Sequence, residues 1–440
     1  MISQTKSLRQ LFFPIYLELL FTTLAGTVDT LMLSTAGDQA VGAVGTAHTY
    51  ISVFIIMFTV VSSGMTAVMT QYIGAGRPGV ARQALRLGLV FNAVFGILIA
   101  GFLSLGAEPL LLTLGIATQL LPHAKVYMQI VGGFCICNAL IPIYSSYLRS
   151  FGQAAPTMTA AVAGNIINLV LNAVFLFLFH WGVWGVALAT GISRLVNLLW
   201  VMIASYRRIP MHHDKQLPSN RKILSQIIRV GLPAAMESFL YNLSVTLILR
   251  FLNQMDETGF QVTARSYAMQ LACFSFCAGT ALSQANNILV GWRIGMCDFD
   301  TCTRETHKAA RIGILTTTIP AVLIAAFAEP IMGIFSDDSQ MLHLVQTLLW
   351  VDAVLEVGRV SNLVYGGALK TSGDARFPML LGVIFMFLCG VGGSWLLGVR
   401  LGWLAIGAYI AMAMDECIRG ICMFFRWRSR AWIRKGFLTD

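Results

Sequence analysis

The sequence predicts an all-α polytopic membrane protein, with twelve transmembrane helices laid out as two parallel six-helix repeats. Three observations lead there. Hydrophobic residues make up 57% of the 440-residue chain and charged residues only 11%, well below the roughly 25% charged residues of soluble domains. Apolar runs of about 20 residues or more, enough to cross about 30 Å of hydrocarbon as helix, recur along the whole length. Residues 147–158, YLRSFGQAAPTM, return in degraded form as residues 368–379, ALKTSGDARFPM, 221 positions later.

The spans fall near residues 11–34, 44–72, 84–106, 121–148, 156–179, 184–206, 232–254, 262–290, 308–332, 342–369, 377–399 and 403–426. Helices are preferred to strands because these runs are long and continuous, whereas barrel strands are short and alternate. Further echoes tie the halves together. Ala107-Glu108-Pro109 recurs as Ala328-Glu329-Pro330 at the same 221 offset, Pro14 and Glu18 as Pro233 and Glu237 at 219, and Gly185-Val186-Ala187 as Gly407-Ala408-Tyr409 at 222. The chain is a tandem duplication. Residues 1–206 form the first six-helix lobe, 207–231 a cytoplasmic linker, and 232–440 the second lobe with a basic cytoplasmic tail. Six spans per half give both repeats the same orientation, related by an axis along the membrane normal. Repeats of membrane spans mark secondary transporters, whose substrate site lies between them.

A net charge of +10 could suggest nucleic acid, but its placement argues otherwise. Lys6, Arg9, Arg77, Arg82, Arg86, Arg207, Arg208, Lys215, Arg221, Lys222 and Arg229 alternate by loop with an acidic side. So do Arg293, Arg304, Lys308, Arg311 and the arginines of the tail. The opposite loops hold little more than Lys125 and Arg400, with Asp38, Asp256, Glu257, Asp337 and Asp338. By the positive-inside rule both termini are cytoplasmic. Membrane lipids with anionic headgroups are the natural partner of this basic excess, and no nucleic acid is expected. The first apolar run is too long for a signal peptide and carries Glu18 and Asp29.

Chemistry-bearing motifs are few. Seven of the nine cysteines lie in spans and two in a cytoplasmic loop, where disulfides are not expected. Cys273 and Cys277 share a helix face without a matching His or carboxylate cluster, so they read as small apolar filler. His212-His213-Asp214 lies in the solvated linker and reads as a plain loop. No GxSxG, HExxH or Walker loop occurs, so neither hydrolysis nor ATP-driven pumping is supported. The protein is not expected to be an enzyme, and no cofactor is implied.

Ionisable residues inside the membrane remain. Each costs about 2.5–3.5 kcal/mol at mid-helix on insertion scales, so each needs a partner or a role. Span 1 carries Glu18 in its inner half and Asp29 in its outer half, eleven residues apart and so nearly on one face, about 16 Å along the axis. Span 5 shows Asn165, Asn168 and Asn172 on one stripe. Asn168, Asn172 and Thr190 of span 6 match the depth of Asp29, so a carboxylate, two amides and a hydroxyl can converge there. Helix-to-helix glue is the alternative reading of the asparagines and the threonine. In the second half, Glu237 has no partner on its own helix. Asp352, Glu356 and Arg359 share a face of span 10, and Arg359 can pair with either carboxylate. Asp415, Glu416 and Arg419 form a similar self-paired group. Arg194 in span 6 has no partner that the sequence names.

This pattern resembles the multidrug and toxic compound extrusion (MATE) transporters along essentially the whole chain. The resemblance rests on Pro14 followed fifteen residues later by Asp29 and then MLSTAGDQAVGAVGTA, and on Gln71-Tyr72-Ile73-Gly74-Ala75-Gly76. It rests also on LRSFGQAAPTM with NIINLVLN, on GLPAAME, and on LKTSGDARFPM. It implies a V-shaped pair of six-helix lobes that export drug-like, often cationic compounds in exchange for H⁺ or Na⁺. Asp29 matches the span 1 coupling aspartate, Asn168 and Asn172 match the span 5 positions, and Thr190 looks like the span 6 threonine. The family often has an aspartate where Asn172 stands, which leaves this lobe one carboxylate fewer. Glu237 matches the span 7 acid, and Glu356 is the nearest match to the span 10 acid.

The sequence therefore points to an ion-coupled antiporter exporting a small-molecule substrate by alternating access. It would be an integral protein of a bacterial inner or plasma membrane, functional as a monomer, with any Na⁺ at Asp29 or Glu237. The alternative is a flippase for a lipid-linked or polysaccharide precursor. Such anionic cargo would need unpaired cations, and only Arg194, Arg250, Arg265, Arg359 and Arg419 lie in or near spans. A channel or scaffold explains the duplication less well.

Overall fold

The computed structural model describes residues 6–35, 37–113, 116, 118–210, 214, 216–255, 259–333 and 338–438. All regular structure among the described residues is helical. His212, His213, Lys215, Asp256, Glu257 and Asp337, which carried readings of the linker and the loops, lie outside them. The helices run α1 (Leu8–Ser34), α2 (Asp38–Gly74), α3 (Pro78–Leu105), α4 (Ala107–Thr113), α5 (Leu121–Gly133), α6 (Cys135–Ser150), α7 (Ala155–Ala173) and α8 (Gly182–Arg208). They continue as α9 (Asn220–Met255), α10 (Phe260–Gly295), α11 (Phe299–Ala326), α12 (Ala328–Met332), α13 (Ser339–Thr371), α14 (Arg376–Phe385) and α15 (Leu404–Arg428).

Among the described residues, nine helices are long and apolar enough to cross a membrane, and α5 with α6, bent by 41°, makes a tenth. The other two expected spans are helices of 36 and 25 residues, α10 and α15. They fall short in apolarity for visible reasons. Asp415, Glu416 and Arg419 interrupt α15, and polar residues such as Gln270, Ser275 and Asn286 dilute α10. All twelve spans are thus helical. Spans 5 and 11 both end in wider π-helical turns, at Val174–Leu178 and at Met386–Gly392 with Ser394–Arg400.

Local signals explain the helix starts. Ser7 caps α1 with a reciprocal pair: its hydroxyl accepts from Gln10 N at 3.4 Å, and its own N–H donates to the Gln10 side chain at 3.0 Å. The Asp298 and Asp338 carboxylates cap α11 and α13 by accepting from Thr301 N and Gln340 N. Helix α3 shows how burial is arranged. It turns Gly88, Asn92, Gly96, Ile99 and Leu103 inward and leaves Val90, Val94, Ile97, Leu98 and Leu105 exposed. An outer face this apolar suits the hydrocarbon of a membrane.

The chain divides into two compact units, Met1–Leu232 and Pro233–Asp440. The first is built on a core that includes Ala43, Ala47, Ile51, Phe58, Leu103 and Met128. The second has its own, with Ile248, Leu252, Ala264, Val345, Leu348 and Tyr409. Helix α9 begins well ahead of the expected span 7, so residues 220–231 of the expected linker are helical. They pack against α2 backbone to backbone: a Cβ on Gly64 would lie 2.2 Å from Ile227 O, and one on Gly231 2.4 Å from Val60 O. Only glycine permits that approach.

Candidate functional site

In the first unit, α1, α7 and α8 pack together and bring Asp29 to the asparagine stripe. Asn172, fully buried, donates its Nδ2–H to Asp29 Oδ1 at 2.9 Å. The surroundings of Asn168 orient its amide nitrogen toward the same carboxylate, 2.6 Å from Oδ1 and 2.9 Å from Oδ2. Two buried amides therefore present donors to one carboxylate. The Asn172 Oδ1 is left buried without a hydrogen-bond partner among the described residues. Residues four apart on α7 share a face, which is why both reach Asp29; the π-helical turns begin immediately beyond, a feature common at functional sites. Thr190 does not join them by a hydrogen bond, since its hydroxyl donates to Val186 O on its own helix at 2.9 Å. Asn165 Nδ2 is likewise unpartnered among the described residues.

The structure also supplies neighbours for Arg194. Its guanidinium lies within electrostatic reach of Asp29 and of Tyr127 on α5, and it acts on His48 of α2 as well. No carboxylate approaches it within ion-pair distance among the described residues. Its attraction to Asp29 is therefore one of proximity without a locked bridge. Arg194 could be suspected from sequence, four residues beyond Thr190. Tyr127 and His48 could not, because nothing in a linear pattern brings α2 and α5 to α1.

The inner carboxylates of the two units are held alike. Glu18 is paired with Arg149 of α6 and accepts from Thr157 of α7 at 2.8 Å. Glu237 of α9 is paired with Lys370 of α13 at 2.7 Å. Glu237 follows Glu18 by 219 positions and Lys370 follows Arg149 by 221, so each repeat keeps a carboxylate bridged to a cation in the motif after its fourth span. Glu237 thus has a cross-helix partner where its own helix offers none. The counterpart of Asp29 is Ile248, part of the second core, so the outer carboxylate belongs to the first unit.

The second unit concentrates charge elsewhere. On α13, Arg359 is bound to Glu356 and lies 3.9 Å from Asp352, with its guanidinium over the Phe276 ring at 5.5 Å. On α15, Arg419 takes Asp415 in a two-pronged bond at 3.0 and 2.8 Å and Glu416 at 2.8 Å. The sequence showed two separate self-paired groups, and the structure merges them. A Cβ on Gly358 would sit 2.5 Å from Cys417 N, and one on Gly420 2.8 Å from Gly358 O. This close approach lets Asn362 of α13 donate to Glu416 Oε2 at 2.9 Å. Asp352, Glu356, Asp415, Glu416 and Arg419 are all buried. Glu356 and Glu237 engage different cations, so they do not share one bridge. Among the described residues, no group of three or more His, Cys, Asp or Glu is placed to hold a metal ion.

Two repeats of membrane helices, each with ionisable groups buried inside it, are the architecture of many membrane transporters. The sequence profile of the MatE family matches residues 14–174 and 233–396, and the chain belongs to that family. It is 32% identical to the "Uncharacterized transporter YisQ" of Bacillus subtilis, over 98% of this chain and 96% of that protein. It is 24% identical to the "Probable multidrug resistance protein NorM" of Thermotoga maritima, over 99% and 94% of the two chains. The "Multidrug resistance protein PmpM" of Pseudomonas aeruginosa is also 24% identical, over 90% and 84%. Among solved structures, MATE in complex with MaD3S superposes with a TM-score of 0.91 at 18% identity, covering 99% of both chains. An outward-facing MATE family transporter of the MOP superfamily gives 0.88 at 19%, over 98% and 97%. At these identities the likeness is one of fold, and that fold has twelve helices. The protein is an integral membrane transporter with multidrug resistance proteins among its relatives.

Proposed function

We propose that the protein is a proton-coupled antiporter that exports drug-like organic cations, working as a monomer with both termini at the cytoplasmic face of a bacterial inner membrane. One observation carries the choice of proton: Asp29 is a lone carboxylate faced by amide donors. A hard cation such as Na⁺ favours several converging oxygens, and here the nearest groups point N–H toward the carboxylate. A proton needs only the carboxylate itself.

The same residues can serve both protonation states. Ionised, Asp29 accepts from Asn168 and Asn172. Protonated, it becomes an O–H donor, and an asparagine amide turned over offers Oδ1 as the acceptor. The unpartnered Asn172 Oδ1 is suited to that exchange. In the outward-facing state, a proton taken up at Asp29 removes the cost of burying a charge and its pull on Arg194. That change favours release of the cationic substrate and rearrangement to the inward-facing state. The second unit supports a cationic cargo, since it sets the buried Asp352, Glu356, Asp415 and Glu416 against the buried Arg265 and Arg419 and the partly buried Arg359.

Efflux from proteoliposomes under a pure pH gradient, compared with a pure Na⁺ gradient, tests the proposal. Transport driven by the pH gradient and lost in Asp29→Asn is expected. Export driven by Na⁺ alone, abolished by Glu237→Gln but not by Asp29→Asn, overturns it in favour of the second unit.

A further inference from the structure

At the end of the first unit that the basic loops assign to the cytoplasm, the start of α3 and the stretch ahead of α9 enclose a recess of about 370 Å³, within the size range of small-molecule sites. Its lining includes Gly79, Arg82, Gln83, Arg86, Asp214 and Asn220. The walls are tied by specific bonds. Arg77 donates to Gln216 O at 2.7 Å, and Gln83 Nε2 donates to Pro218 O at 2.8 Å and to Asn220 Oδ1 at 2.6 Å. Val80 N donates to Asp214 Oδ2 at 3.2 Å, so a linker carboxylate occupies the N-terminus of α3, where Arg77 supplies no side-chain cap. Residue 79 must be glycine for this: a Cβ there would lie 2.7 Å from Asp214 Cγ.

Two features of the recess are unsatisfied. Arg82 and Arg86, four apart and so on one face of α3, have no carboxylate within ion-pair distance among the described residues. Gln83 Oε1 is buried and lacks a donor among those residues. An anion shared by the two guanidiniums would relieve their repulsion. The second unit closes the equivalent place with its own side chains. There, 221 positions on, stand Asp300, Thr303, Arg304 and His307. Asp300 is paired with Arg430 at 2.6 Å, and the His307 ring lies 2.8 Å from the Tyr365 hydroxyl.

We propose that this recess binds the headgroup of an anionic phospholipid of the phosphatidylglycerol type. Arg82 and Arg86 take the phosphate, and Asp214 takes a glycerol hydroxyl. A basic pocket among membrane helices at the cytoplasmic side suits such a headgroup, and the Asp214 carboxylate favours a singly charged phosphodiester over a more highly charged phosphomonoester.

Native mass spectrometry of the full chain, titrated with phosphatidylglycerol or phosphatidylcholine, provides the test. Phosphatidylglycerol is expected to bind more tightly, with affinity falling about fivefold in Arg86→Gln and about 25-fold in Arg82→Gln/Arg86→Gln. Arg304→Gln/Lys308→Gln removes the same charge from α11 and is expected to change nothing. Arg86 is exposed, so its variant keeps the test valid should the double variant misfold. Free glycerol phosphate added at matching concentration separates the sources. If it alone binds and the lipid does not, the ligand is a soluble metabolite and the lipid assignment falls. Equal phosphatidylglycerol binding by wild type and Arg86→Gln also overturns the site.

Discussion

Replacing Asp29 by asparagine alters one atom of the site and removes its charge. Three close contacts reach that carboxylate, at 2.9 Å from Asn172 and at 2.6 and 2.9 Å from Asn168. Hydrogen bonds to a charged group contribute about 1.5–3 kcal/mol and neutral ones about 0.5–1.5, so each weakened contact loses about 1–2 kcal/mol. Removing a carboxylate from a half-buried place offsets much of that loss, and the asparagine side chain has nearly the same shape. Asp29→Asn is therefore expected to fold, insert and purify normally. Transport should respond very differently. A pH gradient of one unit stores about 1.4 kcal/mol per proton, which sustains about a tenfold concentration ratio of substrate for one-to-one exchange. With no proton-accepting carboxylate, the variant should equilibrate its substrate to a ratio of about one. Proteoliposomes loaded with a fluorescent organic cation, with membrane potential clamped, read the ratio directly. A tenfold ratio maintained by Asp29→Asn at equal reconstitution would remove this residue from the coupling mechanism.

A cysteine at Ser219, placed in a Cys297→Ser background because Cys297 is exposed, should react with impermeant maleimide only after cell lysis; labelling in intact cells would invert the topology. Glu237→Gln strips Lys370 of its partner, and a double-mutant cycle with Lys370→Met should give a coupling of about 1–2 kcal/mol in thermal unfolding, between exposed and buried pairs. A coupling near zero would make that bridge incidental. Arg419→Met leaves Asp415 and Glu416 buried without their cation, and a loss of about 3–5 kcal/mol is expected. Arg419→Met/Asp415→Leu/Glu416→Leu should recover it, and failure to recover would give these charges a role beyond pairing with each other.

By itself, the sequence determined the fold class, the duplication and the twelve spans. These are properties of runs and repeats, since hydropathy over about 20 residues and recurrence at a fixed offset do not depend on what packs against what. It also singled out Asp29, Asn168 and Asn172, because a charge in hydrocarbon and a three-and-four spacing are visible in a string. Only the tertiary structure decided what these groups meet. Thr190 shares the expected depth, yet its hydroxyl is spent on Val186 of its own helix, because a serine or threonine in a helix can always bond back one turn. Glu237 showed no partner on its own helix, and its partner across helices stayed hidden, because Lys370 is 133 positions away and no helical spacing relates the two. The charges of α13 and α15 read as two groups until Gly358 and Gly420 let the backbones close on each other. Partners that lie on different helices are set by how those helices pack, and packing depends on side-chain shape in three dimensions, which periodicity along one helix does not encode.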